Sequence, residues 1–267
     1  MVKILLGSRH GGHATRTPLV KEALEEEYED IEYVVATDYE DDYDYGEKKY
    51  RVPSFRSTNE KYYHPLKAAK NFFKSLNIIR KEKPDVVTCY GANTSIFIGI
   101  IASCTSADLI AVESENRTKE PSISPKILNR FGAQVWVSHD QMLDNYPNKN
   151  VVNKGLIQRR SYEEYNSEEK EGTLVIPSSA DEELMENHWE HVPHEKLLEK
   201  MGKTDLIVTR AGMAAYEALH LGNRVKVKPY EHEHQKNFAK WLDREFDNVE
   251  LVKDKSFREL FEEYSEK

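Results

Sequence analysis

The sequence has few cysteines and no long apolar run, and each shortage excludes a class of protein. Only two cysteines, Cys89 and Cys104, occur among 267 residues, which argues against a disulfide-built secreted scaffold and for a reducing compartment. Both lie in apolar sequence, where a buried free thiol is the usual arrangement. The most apolar run, 96–102, is far shorter than the ~20 residues of a membrane-spanning helix. We therefore expect a cytoplasmic protein, whose contact with the inner face of a membrane would be peripheral.

The charge balance lacks the basic surplus of a general nucleic-acid-binding protein. Acidic residues number 47 and basic residues 38, which gives a net charge of −9, whereas neutralising nucleic-acid phosphates needs clustered Lys and Arg. The glycine-rich segments follow neither the GxGxxG nor the P-loop pattern. With 32% charged and 39% hydrophobic residues, the composition is typical of a globular protein, long enough for one large core or two modest ones.

Strands and helices alternate along the chain, which predicts an α/β fold with parallel sheets and helices on both faces. The segment 157–172 is rich in charge and lacks apolar periodicity, so we interpret it as an interdomain linker. It separates a first domain, 1–156, from a shorter second domain, 173–267. The predicted strands cover 2–6, 31–36, 86–90, 109–112, 135–138, 173–177, 206–208 and 225–227.

The second domain contains a compact βαβ unit, in which a turn follows the strand 206–208 and opens the helix 213–221. The turn contains Arg210 and Gly212. Unpaired N–H groups and the positive end of the helix dipole make such a turn attractive to phosphate. Glu217, about one turn into the helix, can accept hydrogen bonds from a ribose, and Arg210 can neutralise a pyrophosphate. The ordinary alternative is a tight turn followed by a solvated helix face.

In the first domain, small and polar residues follow the predicted strands. Gly11 and Gly12 lie in a glycine-rich turn between the first strand and a helix, and Gly91, Asn93 and Thr94 follow the strand that ends at residue 90. Open α/β sheets bind ligands at the carboxyl ends of their strands. The pattern therefore predicts a second ligand-binding edge.

The stretch 203–240 resembles the nucleotide-sugar-binding half of GT-B glycosyltransferases of the GT28 type. The nearest patterns are those of the peptidoglycan lipid-intermediate N-acetylglucosaminyltransferase and of the catalytic subunit of the dolichol-pathway UDP-N-acetylglucosamine transferase. Two departures stand out: Glu217 is one residue closer to the turn, and Asn237 lies one place early, with Phe238 at the expected position. The matching residues are Asp205, Arg210, Gly212, Glu217, Gly222, Pro229, His234, Gln235 and Ala239.

Residues 1–156 resemble the membrane-anchoring subunit of the same dolichol-pathway enzyme. The match includes a Gly-Gly-His loop ending at His13 and a Glu-Ser-x-x-Arg pattern from Glu113 to Arg117, followed by Ser-x-Ser-x-Lys at 122–126. The resemblance implies that His13 faces the acceptor as a general base or an electrostatic partner, since an imidazole can take a proton from a sugar hydroxyl near neutral pH. A helix-capping histidine is the alternative. Glu113 would be an acid/base or sugar-hydroxyl acceptor, and Arg117 a phosphate contact.

Together these resemblances imply a GT-B fold, with two Rossmann-like parallel-sheet domains facing a cleft and the second one shortened. They imply a UDP-sugar-dependent hexosyltransferase that moves N-acetylglucosamine, with inversion, to a lipid-linked or polysaccharide-precursor acceptor without a cofactor. The catalytic residues would be His13 and Glu113. Donor contacts would come from Val192, His194, Arg210, Gly212, Met213, Glu217, His234 and Gln235, and acceptor contacts from Gly11, Gly12, Gly91, Asn93, Thr94 and Arg117.

Two patterns raise the question of a metal, and neither supports one. His188, His191 and His194 are spaced three apart, but Pro193 interrupts any helix that would place them on one face. The acidic stretch 37–46 lacks the spacing of an EF-hand loop. We therefore predict no metal site.

Two other functions are compatible with the sequence. A shortened GT-B protein could be an inactive scaffold that recruits a partner transferase to a membrane. A UDP-sugar 2-epimerase shares the fold but needs no acceptor. Basic residues at 51–56 could meet an anionic lipid phosphate, or could be ordinary surface residues.

Overall fold

A computed structural model describes most of the chain and divides it into two compact units. The described residues are 1–8, 16–38, 48–55, 64–90, 93–155, 162–178, 181, 184 and 193–265. The first unit comprises Met1–Glu115 and Glu120–Arg159, and the second comprises Asn116–Lys119 and Arg160–Lys267.

The first unit is built on a seven-stranded parallel sheet. Its strand order is β3-β2-β1-β4-β5-β6-β7, so the winding direction reverses between β1 and β4, where doubly wound sheets bind ligands. The strands are β1 (Val2–Gly7), β2 (Ile31–Thr37), β3 (Lys48–Arg51), β4 (Val86–Tyr90), β5 (Asp108–Val112), β6 (Gln134–Val137) and β7 (Val151–Asn153). The helices are α1 (Thr17–Glu25), α2 (Pro65–Glu82), α3 (Ile96–Ala102) and α4 (Ile123–Arg130).

The central strands are apolar because both faces of the sheet are covered. Every residue of β4 is buried, as are Ile4, Leu5 and Leu6 of β1. Gly7, at the carboxyl end of β1, allows α3 to begin close by, since a Cβ at Gly7 would lie 2.9 Å from the Cβ of Ser95. The sheet core thus brings the loops after β1 and β4 together.

The second unit has a four-stranded parallel sheet in the order β11-β10-β9-β8. Its last helix packs back on the first strand, with Phe257 and Leu260 in one apolar cluster with Val175 and Val208. The strands are β8 (Thr173–Ile176), β9 (Leu206–Thr209), β10 (Arg224–Val227) and β11 (Val249–Leu251). The helices are α5 (His194–Gly202), α6 (Met213–His220), α7 (Glu233–Glu245) and α8 (Phe257–Ser265).

The described part of the segment interpreted as a linker is attached to this second unit. The N–H of Ser167 donates to the carbonyl of Gly202 at 3.2 Å, and the N–H of Glu171 donates to that of Lys203 at 3.0 Å. The ring of Tyr162 stacks on His220, with centroids 5.4 Å apart. Residues 162–171 therefore follow the surface of α5 and α6.

The two cysteines have different environments. Cys89 is buried in β4, as predicted, and burial raises its pKa to about 12. The prediction is wrong for Cys104, which is exposed because it lies in the turn after α3 rather than within the helix. Over the described ranges, no helix has both the length and the apolar content needed to cross a bilayer.

We expect Gly202→Ala to destabilise the second unit. A Cβ at Gly202 would lie 1.6 Å from the carbonyl oxygen of Tyr165, so the segment before β8 would have to move away from α5. Backbone clashes of this kind cost about 1–3 kcal/mol, which corresponds to a lower melting temperature by several degrees. Thermal unfolding followed by circular dichroism measures the change. Gly212→Ala is the matched control, because its Cβ would meet nothing within 4 Å; equal melting temperatures for the two variants would contradict the packing argument.

Candidate functional site

The turn between β9 and α6 leaves open space in front of a helix N-terminus. Gly212 caps α6 with φ −155° and ψ −160°, an extended conformation available to any residue, and a Cβ there would touch nothing within 4 Å. The protein's own packing therefore does not require glycine at this position. The N–H groups of the first turn of α6 have no acceptor within the helix. An anion can approach these groups because Gly212 has no side chain.

Glu217 is a buried carboxylate on α6 with a fixed orientation. The residue is 2% exposed, and its Oε1 lies 2.7 Å from Nε2 of His194, the first residue of α5. A buried carboxylate needs such a partner to offset the loss of hydration. The structure thus brings together two residues that the sequence predicts for the donor site.

Arg210 is engaged by a partly buried aspartate, Asp181, which is absent from the predicted site residues. Its Nε and Nη2 donate to Asp181 at 3.1 and 2.5 Å, and its Nη1 donates to the carbonyl of Lys228 at 3.3 Å. The guanidinium lies between the rings of Tyr230 and Phe257, 4.1 and 4.2 Å from their centroids. These contacts favour a positioning role for Arg210 over direct pairing with a pyrophosphate.

Asp181 is the centre of this cluster. Its Oδ2 also accepts hydrogen bonds from the hydroxyl of Tyr230 at 2.8 Å and from the N–H of Ser178 at 3.0 Å. Burial opposes ionisation of Asp181, but the hydrogen bonds from Arg210, Ser178 and Tyr230 outweigh it and lower its pKa. Burial and the neighbouring Asp181 raise the pKa of Tyr230 to about 12. The cluster therefore joins the loops that follow β8, β9 and β10.

His234 and Gln235 lie in the first turn of α7. The side-chain oxygen of Gln235 accepts a hydrogen bond from the N–H of Tyr230 at 3.1 Å, which leaves its amide group directed away from that contact. Burial, with the positive charges of Arg117 and His232, lowers the pKa of His234 to about 4. His234 is therefore neutral near neutral pH, with one ring nitrogen to donate and one to accept a hydrogen bond. Arg117 belongs to the short segment grouped with this unit.

In the first unit, Glu113 follows β5 and accepts four hydrogen bonds. Its Oε1 accepts from the N–H of Ser114 at 2.6 Å and the hydroxyl of Ser122 at 2.5 Å. Its Oε2 accepts from the N–H of Ser122 at 2.7 Å and the hydroxyl of Tyr146 at 2.6 Å. With both oxygens occupied and the residue 2% exposed, these contacts favour a role in holding the loop 114–122 over a catalytic role.

A buried ion pair ties the same loop to α1. The guanidinium of Arg16 donates to Glu115 and, at 3.0 Å, to the hydroxyl of Ser114. The carbonyl of Glu115 lies 2.6 Å from Nε2 of His139, whose pKa burial lowers. Arg16 comes directly before α1, so the loops after β1 and β5 are joined at the carboxyl edge of the sheet. Sequence reasoning missed Arg16 and His139 because no motif links them to Glu115.

Asn93 and Thr94, predicted to contact the acceptor, lie at this edge and hold neighbouring segments there. Asn93 Oδ1 accepts from the hydroxyl of Ser54 and the N–H of Phe55, both at 3.0 Å. The hydroxyl of Thr94 lies 3.3 Å from a carboxylate oxygen of Asp38.

Met213 is the half-buried first residue of α6. The remaining predicted site residues lie outside the described part: Gly11, Gly12, His13, Gly91 and Val192.

Two units, each built on a parallel sheet with helices between the strands, form the GT-B fold that the sequence predicts. Solved structures share this fold. MurG from Acinetobacter baumannii has a TM-score of 0.61 and 14% identity, over 100% of this chain and 90% of that one. The UDP-GlcNAc 2-epimerase from Neisseria meningitidis, bound to UDP-GlcNAc, has a TM-score of 0.63 and 13% identity, over 99% and 91%. At such low identity, these likenesses show the fold alone.

The family follows from the sequence of the first unit. Residues 2–156 match the model of the family described as "Oligosaccharide biosynthesis protein Alg14 like", and the chain belongs to that family. The chain is also 27% identical, over 203 residues, to the UDP-N-acetylglucosamine–N-acetylmuramyl-(pentapeptide) pyrophosphoryl-undecaprenol N-acetylglucosamine transferase of Sulfurihydrogenibium sp. (strain YO3AOP1). That match covers 67% of this chain and 54% of the relative, so the chain spans about half of the relative's length. Both matches confirm the predicted resemblance.

We expect Glu113→Ala to lower the free energy of unfolding by about 3–5 kcal/mol, because the four donors around this buried carboxylate lose their acceptor. Denaturant titration of the variant measures this change. Glu120→Ala is the matched control, since Glu120 is an exposed glutamate within the same loop and its loss should cost less than about 0.5 kcal/mol. Unchanged stability with lost activity would instead assign Glu113 a catalytic role.

We expect His234 to remain neutral from about pH 5 upward. The pKa of folded His234, about 4, lies below the ordinary histidine value of 6.5, so the unfolded chain binds the proton more tightly. The contribution of His234 to stability is thus fully present above pH 6.5 and is lost as the pH falls toward 4. A proton NMR titration of the histidines, assigned with His234→Asn, tests this. A His234 resonance that titrates near pH 6.5 would contradict it.

Proposed function

We propose that the chain is an inverting glycosyltransferase that moves N-acetylglucosamine from UDP-N-acetylglucosamine to a hydroxyl of a lipid-linked or polysaccharide-precursor acceptor. The observation that carries the proposal is the open N-terminus of α6 at Gly212. One turn further along the same helix, Glu217 is buried and is oriented by its contact with His194. Family membership and the name of the curated relative support the choice of sugar and of a lipid-linked acceptor.

In the donor half, the first-turn N–H groups of α6 would bind the diphosphate. These groups and the helix dipole stabilise the charge that grows on the leaving UDP. Glu217, held by His194, would accept hydrogen bonds from the ribose hydroxyls. Since the carbonyl oxygen of Gln235 is bound to Tyr230, its amide N–H groups would donate to the sugar or the diphosphate, beside a neutral His234.

Arg210 would act through the loops rather than on the diphosphate itself. Its bidentate pair with Asp181 and its place between two aromatic rings hold the loops after β8 and β10 against the turn that contains Gly212. Arg210 is thus proposed as a positioning residue of the donor site, with Asp181 and Tyr230 as its partners.

In the acceptor half, His13 would take the proton of the attacking hydroxyl. The hydroxyl oxygen forms a bond to the anomeric carbon on the face opposite the diphosphate, and the bond from that carbon to the diphosphate oxygen breaks, leaving its electron pair on UDP. Glu113 and Arg16 would hold the loop that leads to Arg117, a candidate contact of the acceptor phosphate. Asn93 and Thr94 would shape the edge beside it.

We expect micromolar binding of UDP and of UDP-N-acetylglucosamine in isothermal titration calorimetry. Glu217→Gln keeps the side-chain volume but removes the charge, and Gly212→Val fills the space before α6. Each should weaken binding at least tenfold, which corresponds to about 1.4 kcal/mol. The first change removes the charged acceptor of the ribose hydrogen bonds, and the second occupies the space that the diphosphate would fill. Glu199→Ala, at an exposed position of α5, is the control and should bind as the wild type does.

The alternatives give different results in the same assays. A scaffold, which the four-stranded second sheet and the engaged Arg210 favour, predicts no heat with either nucleotide in a folded protein. A 2-epimerase would bind UDP-N-acetylglucosamine and release UDP or an epimerised sugar without any acceptor. A transferase releases UDP only when an acceptor hydroxyl is supplied.

A further inference from the structure

Helix α8 packs against the segment that carries Asp181. Phe257 and Leu260, on the buried face of α8, are each 2% exposed, and they belong to one apolar cluster with Leu184. Leu184 lies three residues after Asp181, and its N–H donates to the carbonyl of Asp181 at 3.0 Å. The packing of the last helix is therefore linked to the position of this aspartate.

Phe257 also contacts Arg210, the residue that Asp181 engages. The central carbon of the guanidinium lies 4.2 Å from the ring centroid of Phe257 and 4.1 Å from that of Tyr230. A guanidinium is attracted to the face of an aromatic ring, whose charge is negative. The two rings restrict where the guanidinium lies, and its two hydrogen bonds to the carboxylate of Asp181 restrict its rotation.

Lys228 connects the start of α8 to Arg210 by a second route. The carbonyl of Lys228 accepts a hydrogen bond from Nη1 of Arg210 at 3.3 Å, and its Nζ donates to the carbonyl of Lys253 at 2.9 Å. One residue earlier in each segment, the N–H of Val252 donates to the carbonyl of Val227 at 3.0 Å. The end of β10 is thus joined to the segment that leads into α8.

The first turn of α8 has its own fixed geometry. The N–H of Ser256 donates to Oε2 of Glu259 at 2.6 Å, and the N–H of Glu259 donates to the hydroxyl of Ser256 at 3.2 Å. This reciprocal pair is a capping box, which defines where a helix begins. Phe257 follows Ser256 directly, so the capping box fixes its backbone without any contribution from Arg210.

We propose that Phe257 is a positioning residue of the donor site, which acts by holding the guanidinium of Arg210. The capped start of α8 places the ring, the ring places Arg210, and Arg210 holds the loops after β8 and β10 against the turn that contains Gly212. An aliphatic side chain could fill the same apolar space, but it would lack the ring face that attracts a guanidinium. The inference rests on the proposed function, since it takes a UDP-sugar as the ligand of this site.

Calorimetry of the full chain with UDP-N-acetylglucosamine measures the effect on the donor. We expect Phe257→Leu to weaken binding about three- to tenfold, because the loss of one cation–ring contact releases Arg210. Leu260→Val is the matched control. It removes buried apolar volume from the same helix and the same cluster, and it should bind the donor as the wild type does.

A double-mutant cycle with Arg210→Lys tests whether Phe257 acts through Arg210. Lysine keeps the positive charge but lacks the planar fork that pairs with a carboxylate and stacks on a ring. In the Arg210→Lys background, Phe257→Leu should therefore change donor affinity less than about twofold. Losses that add in the double variant would contradict the proposal, because Phe257 would then act independently of Arg210.

The carboxyl group of Asp181 gives a second measurement that needs no nucleotide. Burial opposes its ionisation, but hydrogen bonds, among them those from Arg210, lower its pKa. If Phe257 holds the guanidinium, Phe257→Leu should raise the pKa of Asp181, and Leu260→Val should leave it unchanged. A carbon-13 NMR titration of the carboxyl groups, assigned with Asp181→Asn, measures this difference.

The outcomes separate this inference from the proposed function. A folded wild-type chain that does not bind UDP-N-acetylglucosamine would refute both. If the wild type binds the donor, equal affinity in Phe257→Leu would refute the positioning role alone. An equal loss of affinity in Leu260→Val would also refute it, since the packing of α8 in general would then be responsible. Circular dichroism and the melting temperature show that each variant is folded.

Discussion

Parallel pairing of the strands is the constraint on which the candidate sites depend. Within each unit, every described strand runs in the same direction, so all the carboxyl ends lie along one edge. Residues far apart in the chain meet at this edge because the loops that carry them start from neighbouring strands. Arg16, after β1, thus reaches Glu115, after β5, and Asp181, after β8, reaches Arg210, after β9. The sheet supplies the positions, and the loops supply the chemistry.

Buried and partly buried charged groups hold these loops in place. Ion pairs of this kind contribute little net stability, because desolvation offsets most of the attraction, but removing one partner leaves the other uncompensated. Glu113 with its four donors, Arg16 with Glu115, and Asp181 with Arg210 each fix a loop at the edge of a sheet. Such clusters provide orientation more than stability, which is the property a binding site needs in side chains that face a ligand.

The sequence predicts most of the fold because its signals are local. Apolar runs mark the buried strands, and Gly212 before a helical stretch marks the start of α6, the helix that carries Glu217. The partners of the charged residues could not be predicted in the same way. Asp181 lies far from Arg210 in the chain, and Tyr146 lies far from Glu113, so only the folded sheet brings them together. The role of Arg210 is predicted from its charge, its place in the turn and the family pattern, and none of these shows whether its guanidinium is already paired within the protein.

The second unit shows how little of a sheet such a site requires. It has four strands, yet the candidate donor residues come from the loops after β8, β9 and β10 and from the N-terminal halves of the helices α5, α6 and α7. Right-handed crossovers place those three helices on one face of the sheet, and α8 returns to cover Val175 and Val208. The core is thus closed without further strands. Because the donor groups depend on three adjacent strand ends, further strands at the edges of the sheet would change its size and stability without moving the groups that would bind the nucleotide.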